Sequence, residues 1–188
     1  MAAKFLSIIL FSLSLSANAG NIHDFSLKDS AGKVHKLYDY ADYSAVVVIA
    51  HTTACPIMRQ KYPDFEALSA QFSGKKVAFF FLNSHLGDSV SKIAREVKDY
   101  DVKIPVLKDP DQSVIKDLQF KVSTETAVLD PKDWSVIYRG PIDDQINFDV
   151  KKATHTKPWL AEAIQRHLSG KPPEHLAHRT FGCYIKVL

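Results

Sequence analysis

The chain has 188 residues, of which 46% are hydrophobic and 24% charged, proportions of one ordinary globular domain rather than of a disordered chain. Its Gly 7 and Pro 9 are too sparse for a fibrous protein, and its two cysteines, Cys55 and Cys183, are too few for a zinc ribbon or a disulfide-dense scaffold. A formal net charge of +3 gives no footprint for nucleic acid or an acidic partner.

The N-terminus reads as a targeting signal. Lys4 supplies a short positive region, residues 5–15 are apolar apart from serines, and Ala17-Asn18-Ala19 is a small-x-small cleavage site. The apolar run falls short of the roughly 20 residues of a permanent anchor. Residues 1–19 are therefore expected to be a cleaved signal peptide, residues 20–170 a folded domain and residues 171–188 a tail carrying Cys183. Export points to a periplasmic or secreted protein with no stable membrane anchor, in a compartment where a disulfide is admissible.

The mature chain alternates between two hydrophobic periods. Residues 24–28 and 34–37 flank Ser30-Ala31-Gly32-Lys33 and predict a short hairpin. Residues 45–50, AVVVIA, predict a strand covered on both faces. Pro56 opens a helix whose apolar residues Ile57, Tyr62, Phe65, Leu68 and Phe72 run to Gly74. A second buried strand follows at residues 77–82, a helix at 89–100, a short strand at 105–107 and a short helix at 112–120. Strands at 126–129 and 136–139 surround the turn Asp130-Pro131-Lys132-Asp133, and a last helix spans 158–168 before Gly170 and Pro172-Pro173. This order implies an α/β three-layer sandwich with a central mixed sheet flanked by helices. Residues 143–157 lack periodicity and are long enough to be a functional loop.

Cys55 follows a buried strand and precedes the proline that starts a helix. A sulfur there faces unpaired N–H groups and the positive end of the helix dipole, which favour thiolate over thiol. The polar run His51-Thr52-Thr53-Ala54 reads as a strand-end loop, which predicts Cys55 near the surface. The alternative is an inert, packed cysteine.

Several stretches carry a family resemblance. Asp24-Phe25-Ser26-Leu27 with Gly32-Lys33, then Thr52-Thr53-Ala54-Cys55-Pro56, then Val106-Leu107-Lys108-Asp109-Pro110-Asp111 and Tyr138-Arg139-Gly140-Pro141-Ile142-Asp143, resemble the redoxin group of the thioredoxin superfamily. That group includes the alkyl hydroperoxide reductase and thiol-specific antioxidant proteins and the TlpA-like thioredoxins. The resemblance implies a thioredoxin-like fold with Cys55 as peroxidatic or nucleophilic residue, and the ending Gly182-Cys183-Tyr184-Ile185-Lys186 is similar to the tail of uncharacterised exported members. No cofactor is implied.

The departures are specific. Met58 stands where a thioredoxin keeps its second thiol, so Cys183 is the candidate resolving cysteine. Thr124 aligns with the superfamily's cis-proline, which predicts open space beside the sulfur. Of a peroxiredoxin's requirements, Thr52 supplies the hydroxyl three residues before the cysteine, Val48 stands in place of the proline, and residues 121–123 lack the expected arginine, which leaves Arg59, Arg139 or Lys121 as candidate substitutes. Catalysis is thus expected at Cys55, Cys183 and Thr52, with Pro56, Thr124 and Arg139 in support. The expected partners are a peroxide or disulfide substrate and a periplasmic thiol reductant.

Two other readings stay open. A permanent Cys55–Cys183 staple would contribute about 4 to 5 kcal/mol by the loop-entropy model and leave a redox-inert binding module. His51, Cys55, Met58 and Cys183 are also soft or borderline ligands near one helix start, a set that suits Cu(I) delivery. His155, His167, His175 and His178 match no zinc spacing and are expected on solvated loops.

Overall fold

The computed structural model describes residues 22–145, 157–172 and 178–188. The expected signal peptide lies outside the described residues, as do His155, His175 and much of the aperiodic segment before the last helix.

Strands β1 (Ser26–Asp29) and β2 (Val34–Lys36) form an antiparallel hairpin. Asp29 closes its turn by accepting the Ala31 and Lys33 N–H groups, each at 2.9 Å, while Gly32 takes φ +88°. Next come β3 (Ala45–His51), α1 (Pro56–Phe72), β4 (Val77–Asn83), α2 (Val90–Asp99), β5 (Val106–Lys108), α3 (Ser113–Leu118), β6 (Thr126–Asp130), β7 (Ser135–Gly140) and α4 (Trp159–Leu168). The strands join in one seven-stranded sheet of order β2-β1-β5-β4-β3-β6-β7. β3, β4 and β5 run parallel, and the remaining pairs are antiparallel, so the sheet is mixed as expected.

The hydrophobic patterns have direct physical causes. β3 and β4 are buried at every position, because helices or chain cover both faces and no residue needs a polar partner in solvent. Alternate β3 residues feed two cores: Ala45, Val47 and Ile49 meet α1, α2 and α4, while Val46, Val48 and Ala50 meet α3. The edge strand β7 shows instead the alternating burial of a strand with one covered face. Ile185 is fully buried in the second core and Cys183 packs on the first, so the described part of the tail straddles the sheet. His167 lies in α4 with Nε2 on the Ser44 carbonyl oxygen at 2.9 Å, and His178 stacks on Trp159. Neither is the solvated loop residue that the sequence suggests, since each finds a partner on an element distant along the chain.

Candidate active site

The site begins where β3 ends. Residues 52–54 turn the chain from β3 into α1, and Ala54 takes φ +60°, a left-handed conformation unfavourable for a residue with a Cβ. Two carboxylates hold that turn. Asp88 accepts the Thr53 N–H at 2.8 Å and its hydroxyl at 2.6 Å, and Glu96 on α2 accepts the Ala54 N–H at 3.1 Å. Glu96 also accepts from Arg59 at 2.8 Å and from the Tyr62 hydroxyl at 3.3 Å. Burial alone would raise both carboxyls; hydrogen bonds from Thr53 and Asn83 to Asp88, and from Arg59 and Ala54 to Glu96, outweigh it and hold them below the usual range.

Behind the turn sits His51, wholly buried. Its Nε2 is 2.7 Å from the Tyr62 hydroxyl and its Nδ1 3.1 Å from Asn83 Nδ2. The Asn83 amide donates, so Nδ1 accepts and Nε2–H donates to Tyr62, which passes its own proton bond to Glu96; the tautomer follows from this network. Burial is the main cause that pushes the imidazole down to about 4, so the ring is neutral at pH 7.

Cys55 is the N-cap of α1, with Pro56 at the first helical position, where a missing N–H costs nothing. Its sulfur is bonded to Cys183, 128 residues away, with Cα atoms 5.9 Å apart, an ordinary disulfide separation. Ser123 serves both cysteines. Its Oγ accepts the Cys183 N–H at 2.9 Å and lies 3.1 Å from Cys55 Sγ, so the hydroxyl proton is directed at that sulfur. The tail continues antiparallel beside residues 121–124. The Ser123 N–H donates to the Cys183 carbonyl, the Ile185 N–H to the Lys121 carbonyl, each at 2.9 Å, and Thr124 Oγ1 to the Phe181 carbonyl at 2.7 Å. Beyond Ile185, the buried Gln112 donates to the Lys186 carbonyl at 2.7 Å and accepts the Leu188 N–H at 2.9 Å.

The structure thus brings Cys55 and Cys183 together and corrects several expectations. Cys55 is not near the surface: only 2% of it is exposed, because the tail closes over the turn. Its side chain makes no N-cap hydrogen bond to α1, since the sulfur meets Ser123 and Cys183 instead. The open space expected at Thr124 is filled by Phe181 and its neighbours; Thr124 is fully buried, takes φ +71° and follows a trans peptide. Thr52 is buried, and its Oγ1 has no hydrogen-bond partner among the described residues. Arg139 donates to Gln119 Oε1 at 3.2 Å, and Arg59 is bound to Glu96. Met58 is a fully buried core residue, and His51 has both ring nitrogens engaged in hydrogen bonds. Among the described residues no group of three or more His, Cys, Asp or Glu is placed to hold an ion.

Ser123, Gly182, Asp88 and Glu96 escape a reading of the sequence. A serine in a loop carries no signal of its distant partners. Glu96 leaves a trace: it lies three residues after Ile93 on the apolar stripe of α2, where a carboxylate needs a buried partner.

A mixed sheet whose central strand delivers a cysteine to the start of the next helix defines a thioredoxin-like redoxin fold. Within that class the chain belongs to the AhpC/TSA family, whose profile matches residues 19–140. Among solved structures, the chain is similar to an uncharacterized conserved protein from Geobacillus kaustophilus at 23% identity and TM-score 0.80, over 90% of this chain and 92% of that one. It is also similar to a hypothetical protein from Sinorhizobium meliloti 1021, at 23% identity and TM-score 0.76, over 89% and 92%. Peroxidoxin BcpB from Mycobacterium tuberculosis matches at 17% identity and TM-score 0.60, over 81% and 96%. No curated protein matches the chain. At these identities the structural likeness speaks for the fold.

Proposed function

We propose that the chain is an exported thiol oxidoreductase in which Cys55 and Cys183 alternate between dithiol and disulfide. The observation that carries this reading is a bridge at the start of a 17-residue helix, with one hydroxyl, that of Ser123, bonded to both cysteines. In the reduced protein the Ser123 hydroxyl and the N-terminal end of α1 favour the Cys55 thiolate. That thiolate attacks one sulfur of a substrate disulfide, and the other sulfur leaves as a thiolate. Cys183 then attacks Cys55 Sγ, releases the second substrate thiol and closes the bridge. The net result is a substrate disulfide reduced to two thiols and the Cys55–Cys183 dithiol oxidised. An external thiol reductant reopens it.

Disulfide substrates fit the site best. Residues 121–124 pair with an extended segment, as the tail demonstrates, while Arg59 is engaged by Glu96 and Arg139 by Gln119. The unpartnered Thr52 hydroxyl favours a second reading, peroxide reduction. There Cys55 displaces water or an alcohol from the peroxide, and the sulfenic acid condenses with Cys183 to lose water. Export rests on residues 1–19 and places the reductant in the periplasm or outside the cell.

A glutathione redox titration tests the proposal. A midpoint between about −120 and −270 mV, the span of redox-active dithiols, is expected; resistance below about −300 mV makes the bridge a permanent staple and refutes the cycle. Cys183→Ser separates the substrates. A sulfenic acid at Cys55 after peroxide supports peroxide reduction, and a mixed disulfide at Cys55 after a disulfide-bonded peptide supports exchange.

A further inference from the structure

The sheet has a notch at the end away from Cys55. β5 is three residues long, and its ladder with β4 begins only at the pair Phe81 and Val106. Pro105 has no N–H with which to continue it. The chain before Pro105 turns aside, where the Lys103 and Ile104 N–H groups donate to Glu66 on α1 at 2.8 and 3.0 Å instead of meeting β4. The first half of β4 is thus left without a neighbour on that side. The Phe81 N–H donates to the Pro105 carbonyl at 2.9 Å, and on a strand the backbone groups of residues two apart point the same way. Phe79 and Val77 therefore present N–H and carbonyl groups to the notch, and among the described residues no backbone or side-chain group pairs with them. Such an edge is a template for another chain.

A cleft of about 400 Å³ opens here, lined by Lys33, His35, Tyr40, Tyr43 and Lys76 together with residues 77–80 and Pro105. That volume falls within the roughly 300 to 1,000 Å³ of small-ligand sites. Its wall is aromatic and fixed: the Tyr40 ring meets Phe80 and Tyr43 edge-on, each at 5.0 Å between centroids. Burial would raise the Asp29 carboxyl, but hydrogen bonds from His35, Lys33 and Ala31 outweigh it and hold it low. Asp29 therefore accepts from His35 Nε2 at 2.9 Å, and Nδ1 is left to accept the Tyr40 hydroxyl at 3.0 Å. The rim is cationic. Lys33 and Lys76 are exposed, neither ammonium has a partner among the described residues, and no described carboxylate lines the cleft. Lys76 also takes φ +52°, so a lysine stands where the backbone suits glycine.

We propose that this cleft binds the carboxyl-terminal residue of a peptide. Its carboxylate accepts the Phe79 N–H and faces Lys33 and Lys76, its amide N–H donates to a free carbonyl of β4, and its side chain packs on Tyr40, Tyr43 and Phe80. An internal peptide residue brings no charge to the lysines. Inorganic phosphate leaves the carbonyls and the aromatic wall unused. The cleft lies where β3 and β4 begin, whereas Cys55 follows the end of β3, so this docking site is separate from the bridge and stands whether or not the bridge cycles.

The test uses the bridged mature chain, residues 20–188, labelled with ¹⁵N and titrated with N-acetylphenylalanine. The Phe79 amide signal is expected to shift, with a dissociation constant of about 1 mM or tighter. N-acetylphenylalanine amide, which lacks the charge, and phenylacetate, which lacks the N–H, should each bind at least about tenfold more weakly, as the loss of a charge-assisted or a backbone hydrogen bond requires. Lys33→Gln combined with Lys76→Gln should weaken the acid about tenfold and leave the amide unchanged, at an unaltered melting temperature. Equal binding of the acid and its amide overturns the carboxylate role, and equal binding of phenylacetate overturns the strand pairing. No shift at Phe79 up to roughly 10 mM probe, or shifts confined to other parts of the chain, overturns the site.

Discussion

Gly182→Ala puts the seating of the tail to a quantitative test. A Cβ at Gly182 would lie 1.8 Å from the Ser123 carbonyl oxygen, 2.8 Å from its carbonyl carbon and 2.9 Å from its Oγ. The Gly182 φ is not in the left-handed region, so the restriction is one of space, and the nearest obstacles are backbone atoms that cannot rotate aside. The tail must lift. It is held there by the Ser123 N–H on the Cys183 carbonyl, the Cys183 N–H on Ser123 Oγ, and Thr124 Oγ1 on the Phe181 carbonyl. At about 0.5 to 1.5 kcal/mol each, losing these three costs roughly 3 kcal/mol. In the bridged protein Cys183 is tethered one residue away, so the overlap cannot be relieved by swinging the tail clear and the cost is at least that large. Urea unfolding of bridged wild type and variant should therefore show a loss of about 3 kcal/mol at unchanged slope. In the reduced form the loss is no greater, so the bridge becomes easier to reduce. Gly74→Ala, with nothing within 4 Å of its Cβ, is the matched control. A loss below about 1 kcal/mol for the bridged Gly182 variant, within the scatter of ordinary surface substitutions, would show that the tail is not seated on Ser123.

Two further outcomes follow from the network beneath the turn. His51 titrates at about 4 in the fold against 6.5 ordinarily, so above pH 6.5 it is neutral in both states and carries no pH-dependent term. Between pH 6.5 and 4 the unfolded chain gains its proton and the folded chain does not, which lowers stability by up to about 3 kcal/mol at 1.36 kcal/mol per pH unit. His51→Gln should flatten unfolding free energy across that window relative to wild type, and an unaltered pH slope contradicts the neutral buried ring. Asp88→Ala removes the acceptor for the Thr53 N–H, the Thr53 hydroxyl and the Asn83 amide. A stability loss of roughly 2 to 4 kcal/mol in thermal or denaturant unfolding is expected, and a loss under about 0.5 kcal/mol would mean that the turn holds itself.

Much of the fold was legible because its determinants are local. The β-branched and aromatic runs of β3 and β4, the proline opening α1 and the hairpin turn around Gly32 each carry their own cause within a few residues, and the structure places every such element within a residue or two of its expected position. The two cysteines stand out as the candidate site by their rarity and by the position of Cys55 before Pro56. The surroundings of Cys55 were misread for one reason. His51-Thr52-Thr53-Ala54 is polar in composition, and polar residues before a helix ordinarily face water; here their hydrogen bonds go to Asp88, Glu96, Tyr62 and Asn83, which arrive from α2, α1, β4 and the loop after β4. A polar residue reveals its need for partners and not where they lie.

The sequence by itself determined the layered α/β architecture and the presence of a cysteine at a helix start, because periodicity and turn chemistry act over neighbouring residues. Only the tertiary structure decided that the tail covers that cysteine, that Ser123 is bonded to both cysteines, and that Gly182 has no room for a side chain. Each of these depends on two segments about 60 residues or more apart meeting at hydrogen-bond distance. That meeting is set by the packing of Ile185 and the edge of residues 121–124, and no local pattern encodes it.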